Sequence, residues 1–143
     1  MNVENRLNVL QNLYVGVLVD SVRRYTAAGI LDKVTEEKRN EQMGQGGQIV
    51  KSLNIRKPEE VFTVLAEITN CAGWEKAEGP EDVVMETEYC QLCALAKRLA
   101  TGCPCYIYCL HPMEGMVKSL DSGSNFIVEE TLWNGAKCRV RIV

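Results

Sequence analysis

Phe126-Ile127-Val128-Glu129-Glu130-Thr131-Leu132-Trp133-Asn134-Gly135-Ala136-Lys137-Cys138-Arg139-Val140-Arg141-Ile142-Val143 closes the chain. It reads as two strands about one turn. Asn134-Gly135 is the pair a two-residue type I′ turn selects, because both central residues of that turn take positive φ. The alternation then predicts a hairpin in which Trp133 faces Ala136, Thr131 faces Cys138, Glu129 faces Val140 and Ile127 faces Ile142 on one side. Glu130 with Arg139 and Val128 with Arg141 occupy the solvent side. Cys138 therefore points inward. Glu129 and Thr131 do so too unless a bulge shifts the register. Upstream, residues 71–76 and 83–89 read as two further strands joined through Glu78-Gly79-Pro80.

The first half is helical. Leu7, Leu10, Tyr14, Val17 and Ser21 recur at alternating three- and four-residue steps, and Leu13, Leu18, Val22 and Tyr25 widen that stripe. Gly29 caps its C-terminal end. A second helix is predicted over residues 35–53, with Thr35 as N-cap and Glu36 and Glu37 in its first turn. Gly44, Gly46 and Gly47 lie inside it, each costing about 1 kcal/mol against alanine. Either the helix breaks there, or a neighbouring element or a ligand approaches its backbone closely. A third helix starts at Pro58, a favoured first position, and buries Val61, Phe62, Leu65 and Ile68. The architecture is α+β: N-terminal helices packed on a small antiparallel sheet that ends in a C-terminal β-hairpin. Residues 1–69 form the helical layer and residues 70–143 the sheet with cysteine-rich helices, together one domain. The broad apolar face of the first helix predicts a homodimer.

The chain has 143 residues, 46% hydrophobic and 24% charged, with a net charge of −3. That suits one globular domain and argues against nucleic acid or an anionic membrane as partner. Met1 to Arg6 is polar and unlike a secretory signal, and residues 15–19 are too short an apolar run to span a bilayer. A soluble, cytoplasmic protein is expected, with its cysteines as thiols or metal ligands.

Seven cysteines are present, and five of them fall between Cys90 and Cys109 as C-x2-C, then C-P-C-x3-C. Metal ligation, redox cycling and nucleophilic attack all use such clusters. Pro104 at a first helical position makes Cys103 the capping residue, where unpaired N–H groups and the helix dipole favour the thiolate. Cys103 is thus expected to be the most reactive thiol, whereas Cys138 sits in an apolar layer that opposes ionisation. Cys105 and Cys109 share a helical face, as nucleophile or ligands, or as small core residues beside Tyr106, Ile107 and Leu110. Cys90 and Cys93 have the spacing of half a metal site. With Cys103 and Cys105 they make four sulfurs, enough for zinc or an iron–sulfur cluster. They open a helix over residues 90–100 that Gly102 terminates. His111, the single histidine, is either a base for a nearby cysteine or a surface corner where His111-Pro112 disturbs the next helix. Asp121-Ser122-Gly123-Ser124 is a turn. The glycines at 44–47 lack the strand-before-helix setting of a phosphate loop.

The order of these features carries a resemblance. Leu53-Asn54-Ile55 and Pro58-Glu59-Glu60-Val61 are followed by Gly73-Trp74, Tyr89-Cys90, Gly102-Cys103-Pro104, Cys109 and the closing T-L-x-x-G-x-x-C of Thr131 to Cys138. The chain resembles the L-2-amino-thiazoline-4-carboxylate hydrolase family and the related 4-vinyl reductase-type ligand-binding domain. The likeness covers the second half well and the first half in outline. Two positions depart from the pattern: Gln91 stands where a proline is expected, and His111-Pro112 follows Cys109 where an acidic residue is expected. The resemblance implies a small-molecule domain, with Cys90, Cys109 and Cys138 at matching positions. As an enzyme it would be a cysteine-dependent hydrolase of a cyclic amidine or amide C–N bond, with Cys103 or Cys109 as nucleophile and His111 or a carboxylate moving protons. As a binding module it would be a cysteine-rich sensor or carrier, holding a metal or a small apolar ligand between helices and sheet.

Overall fold

A computed structural model describes residues 1–77 and 82–143. The expected Glu78-Gly79-Pro80 connection lies outside the described residues. Three helices come first: α1 (Val3–Ala27), α2 (Leu31–Ser52) and α3 (Pro58–Thr69). Strands β1 (Glu75–Lys76) and β2 (Val83–Thr87) precede α4 (Gln91–Arg98). A π-helical turn (Tyr106–Leu110) runs into α5 (His111–Leu120), and β3 (Phe126–Glu130) and β4 (Cys138–Ile142) end the chain. The four strands form one antiparallel sheet in the order β1-β2-β4-β3, so the fold is α+β with a C-terminal strand pair. The first strand is shorter than residues 71–76: Ala72 pairs with Cys90 only as an isolated bridge.

The hairpin forms, but not with the turn that Asn134-Gly135 suggests. Neither residue takes a positive φ, and the connection spans residues 131–137. The reason lies in Glu130. Its carboxylate accepts from the N–H groups of Ala136 and Lys137 at 2.8 and 3.0 Å, while Gly135 N–H donates to the Thr131 carbonyl at 2.7 Å. These bonds satisfy a wide loop without a tight turn. Lys97 of α4 donates to the Leu132 carbonyl at 2.6 Å and ties the loop to the helical layer. Glu130 still pairs with Arg139, but a bulge at Glu129 shifts the rest, so Val128 faces Val140 and Phe126 faces Ile142. Glu129 therefore turns outward, the alternative that a bulge leaves open, and accepts from Arg139 and Arg141 at 3.2 and 2.7 Å. Cys138 and Val140 are buried, as the alternation of β4 requires.

The helices differ from the sequence reading in which faces they hide. α1 buries the narrow line Gln11, Val15, Val19 and Val22, with Val15 and Val19 packed on Leu92 and Ala96 of α4. The expected stripe of Leu7, Leu10, Tyr14 and Val17 lies mostly exposed beside it. α2 starts four residues before Thr35, whose hydroxyl donates back to the Leu31 carbonyl at 2.7 Å from inside the helix. Its glycines do not break it. A Cβ on Gly46 would collide with the carbonyl of Gly115, and one on Gly115 would come within 2.6 Å of the Gln42 carbonyl. α2 and α5 thus cross backbone to backbone. α3 seats Val61 and Phe62 in the main core, where Phe62 meets Trp74 edge-on at 5.0 Å and stacks on Phe126 at 6.1 Å. Ile68 stays exposed.

One helix end differs from expectation, and one helix is disturbed without ending. Ala100, at φ 53°, takes the left-handed position that closes α4, and Thr101 N–H bonds back to the Ala96 carbonyl at 3.1 Å. Gly102 instead lets Leu31 and Thr26 approach: a Cβ there would lie 2.6 and 2.8 Å from their side chains. His111-Pro112 does not interrupt the helix. His111 keeps helical angles of −64° and −43°, and its N–H reaches the Tyr106 carbonyl five residues back. Widening that turn removes the clash that a proline ring makes with the carbonyl four residues earlier. Among the described residues no helix is long and apolar enough to cross a membrane.

Candidate functional site

Between α1, α2 and α3 on one side and α4, α5 and the sheet on the other lies a cavity of about 370 Å³. That is within the range of small-ligand sites. Leu18, Ile49, Leu65, Trp74, Met113 and Met116 give it apolar walls. Five cysteines also face it: Cys71, Cys90, Cys105, Cys109 and Cys138. Three hydroxyls of the lining are spent on other groups. Thr69 donates to the Leu65 carbonyl at 2.8 Å, Thr87 to the Tyr89 carbonyl at 2.9 Å, and the Tyr108 hydroxyl bonds Ser21 at 2.6 Å. Gln42 is different. Its Nε2 donates to the Ile107 carbonyl at 3.3 Å, while its Oε1 is buried with no partner among the described residues. Lys38, one helical turn before it, also reaches the wall.

The thiols fall into two groups that shift one another's acidity. In the first, Cys71 and Cys90 sulfurs lie 3.8 Å apart on the cavity wall. Cys90 is the N-cap of α4, and its sulfur accepts from Cys93 N–H at 3.5 Å. The Cys71 S–H bond, aided by the Cys93 and Leu92 N–H groups and opposed by burial, draws the Cys90 thiol down to about 7. Cys71 moves strongly the other way, because it gives the proton to that bond and is itself desolvated. The second group is Cys103, Cys105 and Cys93. Cys103 was expected to cap a helix opening at Pro104, but the helix begins at Cys105; the Cys105 thiol, against burial, and then the Cys105 and Tyr106 N–H groups bring Cys103 to about 7. Cys105 rises correspondingly, through the bond to Cys103 and burial. Burial pushes Cys109 well up and takes Cys138 to about 11, so both stay protonated near neutral pH.

The structure divides the expected site residues. Cys90, Cys105 and Cys109 reach the cavity; Cys93 and Cys103 do not line it. His111 does not line it either. Its Nδ1 lies 3.9 Å from Glu114, which also pairs with Arg39 and Lys118, and its ring sits against Tyr106. Burial and then Arg39 lower its pKa. It belongs to the α2–α5 surface rather than to a cysteine. Among the described residues, no three or more His, Cys, Asp or Glu side chains gather in a group able to hold a metal ion. Cys90 pairs with Cys71, which lies outside the expected cluster. Sequence reasoning passed over Cys71, Lys38 and Gln42. Cys71 has no local spacing to Cys90, and the only signal for Lys38 and Gln42 was their shared helical face.

No family model, curated protein or solved structure matches the chain.

Proposed function

We propose that this chain is a small-molecule domain of the L-2-amino-thiazoline-4-carboxylate hydrolase-like kind, acting as a carrier or sensor for a small apolar ligand held in the cavity. The observation that carries the reading is the cavity of about 370 Å³ with mostly apolar walls, beside which Gln42 keeps a buried Oε1 with no partner among the described residues. An unsatisfied buried acceptor costs about 1–3 kcal/mol, which a ligand N–H or O–H would relieve. A largely apolar molecule that carries a hydrogen-bond donor suits these walls. Native mass spectrometry of the purified protein should find such a compound bound. Titration with 1-naphthol, which has that shape and one donor, should change Trp74 emission. Ala66→Phe should fill the cavity and abolish the change, and Gln42→Leu should weaken binding about tenfold, the loss of one hydrogen bond. An unchanged titration in Ala66→Phe rules the cavity out.

A second reading has its own support. The Cys90 thiol, at about 7 and on the wall, is half ionised near neutral pH without a histidine. It could add to an amidine or amide carbon in the cavity. Ring opening of a 2-amino-thiazoline that is lost in Cys90→Ala and retained in Cys103→Ala would establish it. We further propose a cytoplasmic homodimer, since seven free thiols suit a reducing compartment and α1 leaves Leu10 and Val17 63% and 67% exposed. Sedimentation of wild type against Leu10→Glu tests the dimer.

A further inference from the structure

The cavity wall carries a pair of sulfurs whose arrangement does more than line a binding site. We infer that Cys71 and Cys90 form a thiol–disulfide exchange site that takes a low-molecular-weight disulfide as its reaction partner. Two observations support it. The sulfurs are 3.8 Å apart, so a side-chain movement of about 2 Å reaches bonding distance. The backbones are already tied, since Ala72 pairs with Cys90 and Gln91 N–H donates to the Cys71 carbonyl at 2.8 Å. No main-chain rearrangement is needed, and the cavity gives a small disulfide access to both sulfurs.

The two thiols have different tasks. Cys90 caps α4 and accepts from Cys93 N–H, which stabilises its thiolate and makes it the attacking sulfur. It attacks one sulfur of R–S–S–R. A Cys90–S–R bond forms, and R–S⁻ leaves and takes a proton from water. Cys71 then loses its proton to water and attacks the Cys90 sulfur. The Cys71–Cys90 bond forms and the second R–S⁻ leaves and is protonated. The protein dithiol has lost two electrons, and the small disulfide has become two thiols. Excess small thiol drives the same steps backward. Cys103 and Cys105 also shift one another's acidity, but only Pro104 separates them, and closing that ring would take the Cys103 sulfur from the Cys105 and Tyr106 N–H groups that favour its thiolate. The inference does not depend on an organic ligand entering the cavity.

The test uses the reduced full chain, incubated near neutral pH with 2-hydroxyethyl disulfide, quenched with iodoacetamide and read by peptide mass. The first cross-link should join the Cys71 and Cys90 peptides, and excess 2-mercaptoethanol should reverse it. Cys71→Ser should stop the reaction at a mixed disulfide on Cys90. Cys90→Ser should slow loss of the Cys71 thiol about tenfold or more, because little Cys71 thiolate is present. A first cross-link between Cys103 and Cys105, or Cys71 and Cys90 both still alkylated after other thiols have reacted, overturns the inference. The wild-type experiment decides the matter even if a variant fails to fold.

Discussion

Cys90 and Cys103 show how a sulfur at a helix N-terminus acquires acidity and how its surroundings then decide its use. Both titrate near 7, and each owes the largest part of the shift to a neighbouring S–H. Iodoacetamide reacts with the thiolate, so labelling of both should rise through a midpoint of about 7 while Cys138, at about 11, lags far behind. First labelling at Cys138 or Cys109 would contradict the arrangement. The two should separate when the cavity is filled: 1-naphthol should slow labelling of Cys90 several-fold and leave Cys103 unchanged, since only Cys90 lies on the wall. Cys71→Ala removes the S–H donor and should move the Cys90 midpoint upward. The acidity of Cys103 was legible in part, because its causes lie within three residues of it along the chain, although the sequence reading credited the N–H groups and not the larger effect of the Cys105 thiol. That of Cys90 was not, because its main cause lies on another segment.

The α2–α5 crossing gives a paired expectation from two glycines of one helix. Gly46→Ala drives a methyl into the Gly115 carbonyl and should destabilise the protein by about 2 kcal/mol after the gain in helix propensity. Gly44 has nothing within 4 Å of its Cβ position, so Gly44→Ala should stabilise by up to about 1 kcal/mol. Urea midpoints measure both, and equal shifts would refute the close approach. The glycine cluster announced that something unusual happens in α2, but not that Gly115 was its counterpart, since the crossing is set by tertiary packing. Other elements divide the same way. Pro58, Gly29 and the alternation of 126–142 carry local signals, and α3, the end of α1 and the strand pair follow them. The hairpin loop and the exposed stripe of α1 are decided by Glu130 and by α4, which local pattern cannot supply.

Taken together, the thiols make stability depend on pH in both directions. Cys90 and Cys103 are depressed on folding from 9.0 to about 7, so their contribution is present above about 9 and is lost as pH falls through 7. Cys71, Cys93, Cys105, Cys109 and Cys138 are raised on folding. Their effect is fully favourable below the unfolded value of 9.0 and is lost above it, where the unfolded chain ionises first. Under a phosphine reductant the urea midpoint should climb from about pH 6.5, peak just below 9 and fall by about pH 10. A midpoint still rising at about pH 10 would contradict the five raised thiols. The π-helical turn imposes a constraint of another kind. It sets the chain before it out of phase with α5 by roughly 100° relative to a continuous α-helix. Cys105, just before the π-helical turn, and Cys109, within it, both reach the cavity. Excising one residue of Tyr106–Leu110 would restore the α phase and swing Cys105 off the wall. Residues 103–112 should therefore accept exchanges of side chain while rejecting any insertion or deletion: here it is the count of residues, more than their identity, that is fixed.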